Sequence, residues 1–537
     1  MVVNRLNITL TLTMAGEAHE IPAGNIKNLE LALEPYGFSG HLDFWLVSQK
    51  LESEDTLFAP FVKTDLIELK LLIDRTFDKV GESADPLELK GLVESRTLQE
   101  RAFDGLDGAP VLHRRYAITF RDRAAVLWSQ HRPVQVYADQ PPKKLVDDHL
   151  PAGVKVTHDW AQANTKRPVL SVSTGADLDG ASYYDFLGWL CAREGIGLFQ
   201  DLKTEQYTLA DKKPTAAQSI PLPMHDVALM EVVFPPIPRH MVKVLNGYSE
   251  AGTKSKDVTN SDGVAKVRQD RLLIAPVASD VDKQVKVERA VLKAPPAELS
   301  LEMAGYPSVT FRPNLVYDFS EEWSDRVFPK KGKYRLRSVA LAAHAVNQSA
   351  TDDTDDDSNA YEITCRGRLE LQAVTAFALP PFRRPHWPFY VEGKIVSEIG
   401  KQEELTYQAN KDETTSLDYY KVLIPLWAQK VIAPYNPNLF AGHFYFPAYR
   451  DERVLLALDF DRAWIKRFLD WRPGARLPAE SQGNHLLLGK QGTDQTSIRH
   501  VYESAKPVLA IERTLDKDKQ LIQVSEGTIL LRTKEDE

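Results

Sequence analysis

Cysteine is nearly absent: Cys191 and Cys365 are the two in 537 residues, too few for a disulfide framework. One bridge between them stays open beside the simpler reading of two buried small side chains. Excess positive charge is missing too. With 75 Asp and Glu against 66 Lys and Arg, the net charge is −9, which disfavours a general nucleic-acid binder or a basic membrane-surface protein. Long apolar runs are also lacking, and no stretch reaches the about 20 residues a membrane helix needs. The amino-terminal MVVNRLNITLTLTM alternates polar and apolar residues, so it is expected to be a strand and not a signal peptide. The chain is therefore expected to be made in the cytoplasm and to leave the cell by a machine or by lysis.

Signatures of chemistry are missing as well. There is no HExxH, paired CxxC, P-loop, GxGxxG or GxSxG motif. The 13 histidines are scattered, and neither His149/His158 nor His240/His344 has metal-ligand spacing. The acidic loop TDDTDDDSNA (351–360) approximates a calcium loop but lacks its turn glycine and closing glutamate. No catalytic, cofactor-binding or metal-ligating residue is assigned.

Strand pattern is what the chain has in quantity. LNITLTLTM, LDFWLVS, LIELKLLID, LKGLVESRTL and RRYAITFRD alternate within residues 1–130. MVKVLNGY, AELSLEMA, SVTFRPNLVYDF, KYRLRSVALAAHAV and NAYEITCRGRLELQAV do so within 221–380. A chain of this length with 43% hydrophobic residues can hold three or more domains. The clearest helix is expected over 182–195, with Ser182 as N-cap, Asp185 completing a capping box and Gly195 as the stop. Phe186, Leu187, Leu190 and Cys191 share one of its faces, and IGLFQD with QYTLAD should form a hairpin after it.

Residues 420–460 are unusually apolar. Val422, Ile424 and Leu426 read as one face of a strand, Phe444 and Phe446 as a second strand, and Val454, Leu456, Leu458 and Phe460 as a third. APYNPNLFAGH between them is a loop, and LPPFRRPHWP (379–388) a linker. In DRAWIKRFLDWRPG (461–474), Asp461 is expected to cap a short helix that Pro473 and Gly474 end. Trp464, Phe468 and Trp471 fall at helical spacing there, interleaved with Arg462, Lys466, Arg467 and Arg472. The preferred reading is an amphipathic helix sealing a barrel; the other is a surface that stacks on a nucleic-acid or polysaccharide strand. HLLLGK, TSIRHVY, VLAIER, QLIQVSE and TILLRT near the end are short strands. Alone they have little apolar surface for a core; wound with two copies they can close a prism without open edges.

The word order from Gly393-Lys-Ile-Val396 through Lys421 to Trp427, Gly442 to Pro447 and Asp451 to Phe460 resembles the OB-fold domain of VgrG spike proteins. That family serves type VI secretion and has relatives in phage tails and extracellular contractile injection systems. Gly393, Trp427, Pro447 and Glu452 to Leu455 match its pattern, and Asp185-Phe-Leu187, Leu190 and Glu194-Gly-Ile196 match a second block. The family's Gly-Asp-Pro-Asp-Arg-Pro segment is replaced here by residues 461–474, which points to a divergent branch.

The resemblance implies a mainly β chain: a first tube-like β-barrel (1–140), a helix-containing connector (141–220), a second tube-like β-barrel (221–378), the Pro-rich linker (379–388), an OB-fold barrel (389–484) and a short intertwined β-prism needle formed by a trimer (485–537). It implies a non-enzymatic spike and baseplate hub that adapts a sixfold inner tube to a threefold needle piercing the target envelope. Its partners would be two further copies of itself, the inner tube protein, baseplate proteins, a PAAR-like tip protein and effector cargo, with transient contact with the target membrane and no nucleic acid. Delivery would be outside the cell or into the target. Ile529, Leu530 and Leu531 in the final strand are the expected tip interface. Two alternatives come from the residues themselves: an OB-fold polysaccharide- or nucleic-acid-binding protein, and a carbohydrate-active hydrolase suggested by the many carboxylates. About 25 residues after Phe460 are too few to insert a lysozyme domain.

Overall fold

Leu6, Ile8, Leu10, Leu12 and Met14 are buried while Asn7, Thr9, Thr11 and Thr13 face the other way, so the first segment folds as the strand Val2–Met14. The computed structural model describes residues 2–48, 55–76, 85–104, 110–175, 180–215, 218–249, 251–275, 278–293, 296–351, 355–401, 406–411, 418–434, 448–470, 484–491 and 494–535. They divide into two units.

In the first unit, residues 1–133, 143–165 and 177–385, Val2–Met14 pairs with Ile67–Arg75 on one side and Asn359–Leu371 on the other. From there the antiparallel pairing runs through Tyr334–Ala345, Ile26–Glu34, Gly37–Ser48, Pro110–Arg121 and Leu87–Asp104 and returns to Ile67–Arg75. This closed circuit belongs to a 13-stranded sheet whose other strands extend from it, among them Glu298–Met303 and Val227–Val233. Strands expected in two separate barrels therefore share hydrogen bonds and one hydrophobic core, from Leu6 and Phe120 to Leu336 and Leu369. Gly91 allows the close approach of two of them: a Cβ there would lie 2.3 Å from the Arg121 carbonyl oxygen.

A smaller core in the same unit joins Met241–Asn246, Ser255–Val258 and Arg268–Leu273 to the helix Ala278–Leu292 through Val242, Val244, Val281 and Val285. The helix expected over 182–195 forms as Tyr183–Glu194, with the Ser182/Asp185 capping box complete and Gly195 left-handed at its end. Gly197–Asp201 and Gln206–Ala210 follow as the hairpin. Cys191 and Cys365 are free and buried, so no bridge joins them. Burial pushes both thiols up to about 12, which makes them poor nucleophiles.

The second unit holds residues 134–142, 166–176 and 386–537. Phe389–Val396 pairs with Asp418–Ile424 and Arg453–Leu458, and Gln429–Pro434 returns along Asp418–Ile424. An antiparallel strand pair from far earlier in the chain, Val134–Gln140 with Arg167–Ser173, adds Val136 and Val169 to the same core. Gly393 is required at the crossing: a Cβ would lie 2.4 Å from Val422 Cγ1 and 3.1 Å from the Leu423 carbonyl oxygen.

Two expectations are corrected here. Leu426 does not continue the buried face of Val422 and Ile424: the strand ends at Ile424, and Leu426 is 70% exposed in the turn before Gln429–Pro434, a strand the sequence reading missed. Residues 463–470 are not a helix. Ala463–Asp470 is a strand paired with Arg453–Leu458, where Ala463 and Ile465 bury against the OB-like core. Phe444, Phe446, Trp471 and Arg472 lie outside the described residues. Among the described residues no helix is long and apolar enough to cross a membrane.

Candidate assembly interface

Five strands, Asn484–Gln491, Asp494–Glu503, Lys506–Leu515, Asp518–Ser525 and Thr528–Lys534, form an antiparallel meander near the end of the chain. They coincide with the five short apolar words of the sequence. Ser504 and Ala505 both have positive φ, 49° and 64°, the conformation a two-residue hairpin turn needs to match strand twist.

Register gathers aliphatic side chains into rows across this sheet. Leu486, Ile498, Ile511, Ile522 and Leu531 stand directly opposite one another across all five strands, so they share one face. A neighbouring row on that face runs from Leu509 to Val524 to Ile529. Most of these side chains are exposed, Ile529 at 72% and Leu531 at 73%. The opposite face mixes the apolar Leu487, Val508, Ala510 and Leu521 with Arg499, Glu512 and Lys519, where Arg499 Nη2 lies 3.7 Å and Lys519 Nζ 3.6 Å from Glu512. A contiguous aliphatic face of this kind marks an interaction surface, and full burial of each such side chain contributes about 1.5–3 kcal/mol. Thr528–Lys534 is also an edge strand with every residue exposed, and an uncovered edge invites pairing.

The three residues expected at the tip do not act as one group. Ile529 and Leu531 join the aliphatic rows, while Leu530 opposes Gln523 on the other face. The row itself was missed because its members are separate in sequence and only hairpin register aligns them. Of the histidines weighed earlier, His149 bonds His131, His158 bonds Asp147 and His344 bonds Asn28, so neither pair faces itself. Among the described residues no group of three His, Cys, Asp or Glu is placed to hold a metal ion. Lys466, Arg467 and Phe468 are exposed on their strand, and Trp464 is half-buried.

No family model matches the chain and no curated protein matches it in sequence. Solved structures do. A chain in the lidded form of the Francisella PdpA–VgrG complex superposes with a TM-score of 0.74 at 14% identity, over 99% of this chain and 80% of that one. In the lidless form the TM-score is 0.72 at 13% identity, over 100% of this chain and 99% of that one. At such low identity the likeness is one of fold, and it spans both units and the terminal sheet: the protein is VgrG-like in fold.

Proposed function

We propose that this protein is the structural spike and hub of a contractile injection apparatus and works as a homotrimer. The observation that carries the reading is the aliphatic face built by Leu486, Ile498, Ile511, Ile522 and Leu531, left uncovered on a chain whose fold is VgrG-like throughout. Three such sheets, each turning this face inward, bury it and remove the open edges. A prism of this kind at residues 485–537 is a narrow needle. The circuit of long strands in the first unit, from the regions 1–140 and 221–378, is the broad base that meets the sixfold tube and the baseplate. Residues 389–484 carry the OB-like collar. Ile529 and Leu531 belong to the threefold interior in this arrangement, which leaves Leu530 as the residue of that trio best placed to meet a conical tip protein. The role is mechanical: it concentrates axial force on a small area and requires no chemistry.

The reading is tested on injection particles purified from the producing cells and labelled with an antibody against this chain. Label at one end of the sheathed particle, beside the baseplate, is expected. Label spread along the sheath, or none on particles, contradicts it.

A further inference from the structure

In the second unit, Phe389–Val396, Arg453–Leu458 and Ala463–Asp470 lie side by side in one sheet. Val391, Val454, Leu456, Leu458 and Ile465 turn into the OB-like core, so the alternate residues face the other way. Register sets Tyr390, Ala457 and Trp464 in one row across the three strands on that outer face. Tyr390 is 53% exposed and Trp464 half-buried. Among the described residues neither ring belongs to the core, so core packing does not account for two large aromatic side chains here. Ala457, buried between them, adds only a methyl group.

Two strand spacings separate the ring-bearing positions, about 9.5 Å. That distance is close to the repeat of a β-1,4-linked glycan, in which every second sugar presents the same apolar C–H face. One extended chain laid across the strands can therefore stack a sugar on each ring. The charges beside the row narrow the class. Glu392, Leu455 and Arg467 form the neighbouring row. Glu392 is paired with Arg453 at 2.8 Å, whereas Arg467 and, farther along, Lys394 are exposed and have no ion pair among the described residues. The unmatched charge beside the aromatic row is thus positive, and a guanidinium fork suits a carboxylate. A nucleic-acid strand fits less well, because it brings a phosphate on every residue to a chain of net charge −9.

We propose that this face binds an extended, carboxylate-bearing β-1,4-linked glycan, with alternate sugars stacked on Tyr390 and Trp464 and a carboxylate on Arg467. The proposal goes beyond the spike reading and does not rest on it. The full chain is titrated by calorimetry with three probes. Peptidoglycan glycan strands stripped of peptide are β-1,4-linked with a carboxylate on alternate sugars; chitohexaose is β-1,4-linked and neutral; maltohexaose is α-1,4-linked. The carboxylated strand is expected to bind best, chitohexaose about tenfold more weakly and maltohexaose not at all. Tyr390→Ala should weaken both β-linked probes about tenfold, whereas Tyr390→Phe, which keeps the ring, should bind as the parent chain does. Arg467→Gln should bring the carboxylated strand down to the level of chitohexaose. Both positions are exposed, and unchanged melting temperatures confirm the variants' folds. No binding of the carboxylated strand, equal binding of either comparison sugar, or full affinity in Tyr390→Ala or Arg467→Gln overturns the proposal. Equal binding of single-stranded DNA also overturns it, because that marks a general strand-stacking surface.

Discussion

At the scale of single residues, the pair His131 and His149 is a pH-sensitive contact. His131 Nε2 and His149 Nδ1 are 2.9 Å apart, and both rings pack on Tyr183, 5.4 Å and 4.9 Å between centroids. The Trp128 indole N–H donates to the His149 carbonyl at 2.8 Å, and the Tyr183 N–H to that of His131 at 2.8 Å. One proton can bridge the imidazoles; two would repel. Burial first, then the neighbouring His131, lowers His149 from 6.5 to about 4, with Asp148 pulling the other way, and burial lowers His131 too. A basic group lowered by folding stabilises the fold fully above its unfolded value, and that contribution is lost as pH falls from about 6.5 towards 4. The melting temperature of the full chain should therefore drop between pH 7.5 and 4.5 by more than that of a His149→Asn variant. Equal drops would show that the pair does not sense acid. Sequence reading weighed His149 only beside His158, because neither neighbour relation nor burial is written in spacing.

At the scale of elements, legibility followed locality. Ser182, Asp185 and Gly195 cap one helix within a single segment, and that helix was read to the residue. The strand Ala463–Asp470 was not, and its pairing explains why. Register shifts where it meets Val454 and Leu456 insert an extra residue at each point, so Lys466, Arg467 and Phe468 are exposed in succession and the two-residue period disappears. What remained visible was the helical spacing of Trp464, Phe468 and Trp471. Close approach is a second element-scale property. In Gly91→Ala the new methyl must displace the Arg121 carbonyl of the partner strand, 2.3 Å away, at a cost of about 1–3 kcal/mol. Urea unfolding should register this as a lower midpoint, whereas an unchanged midpoint would mean the strands yield freely. In the terminal meander, Ile511→Asp or Ile522→Asp places a carboxylate in the middle of the aliphatic row. Either should abolish self-association in sedimentation while leaving the melting of the first unit unchanged; retained association would remove that row from the interface.

At the scale of the whole molecule, the strand content and mainly β class were evident in the sequence, and the connectivity was not. Val2–Met14 finds one neighbour at Asn359–Leu371, and the OB-like core takes the strand pair 134–140 and 167–173. Such pairings depend on register between segments hundreds of residues apart, and no local pattern encodes them. The same holds for the division into two barrels, whose strands the hydrogen bonding joins in one sheet. Under the proposed function, residues 485–537 need other copies of the chain to cover their aliphatic rows. Removal of residues 485–537 should leave the first unit folded and monomeric or aggregating. The most direct test of the central claim is the solution mass of the purified full chain by light scattering. A stable species of three times 60.5 kDa is predicted, and a well-folded monomer of 60.5 kDa at micromolar concentration would contradict it.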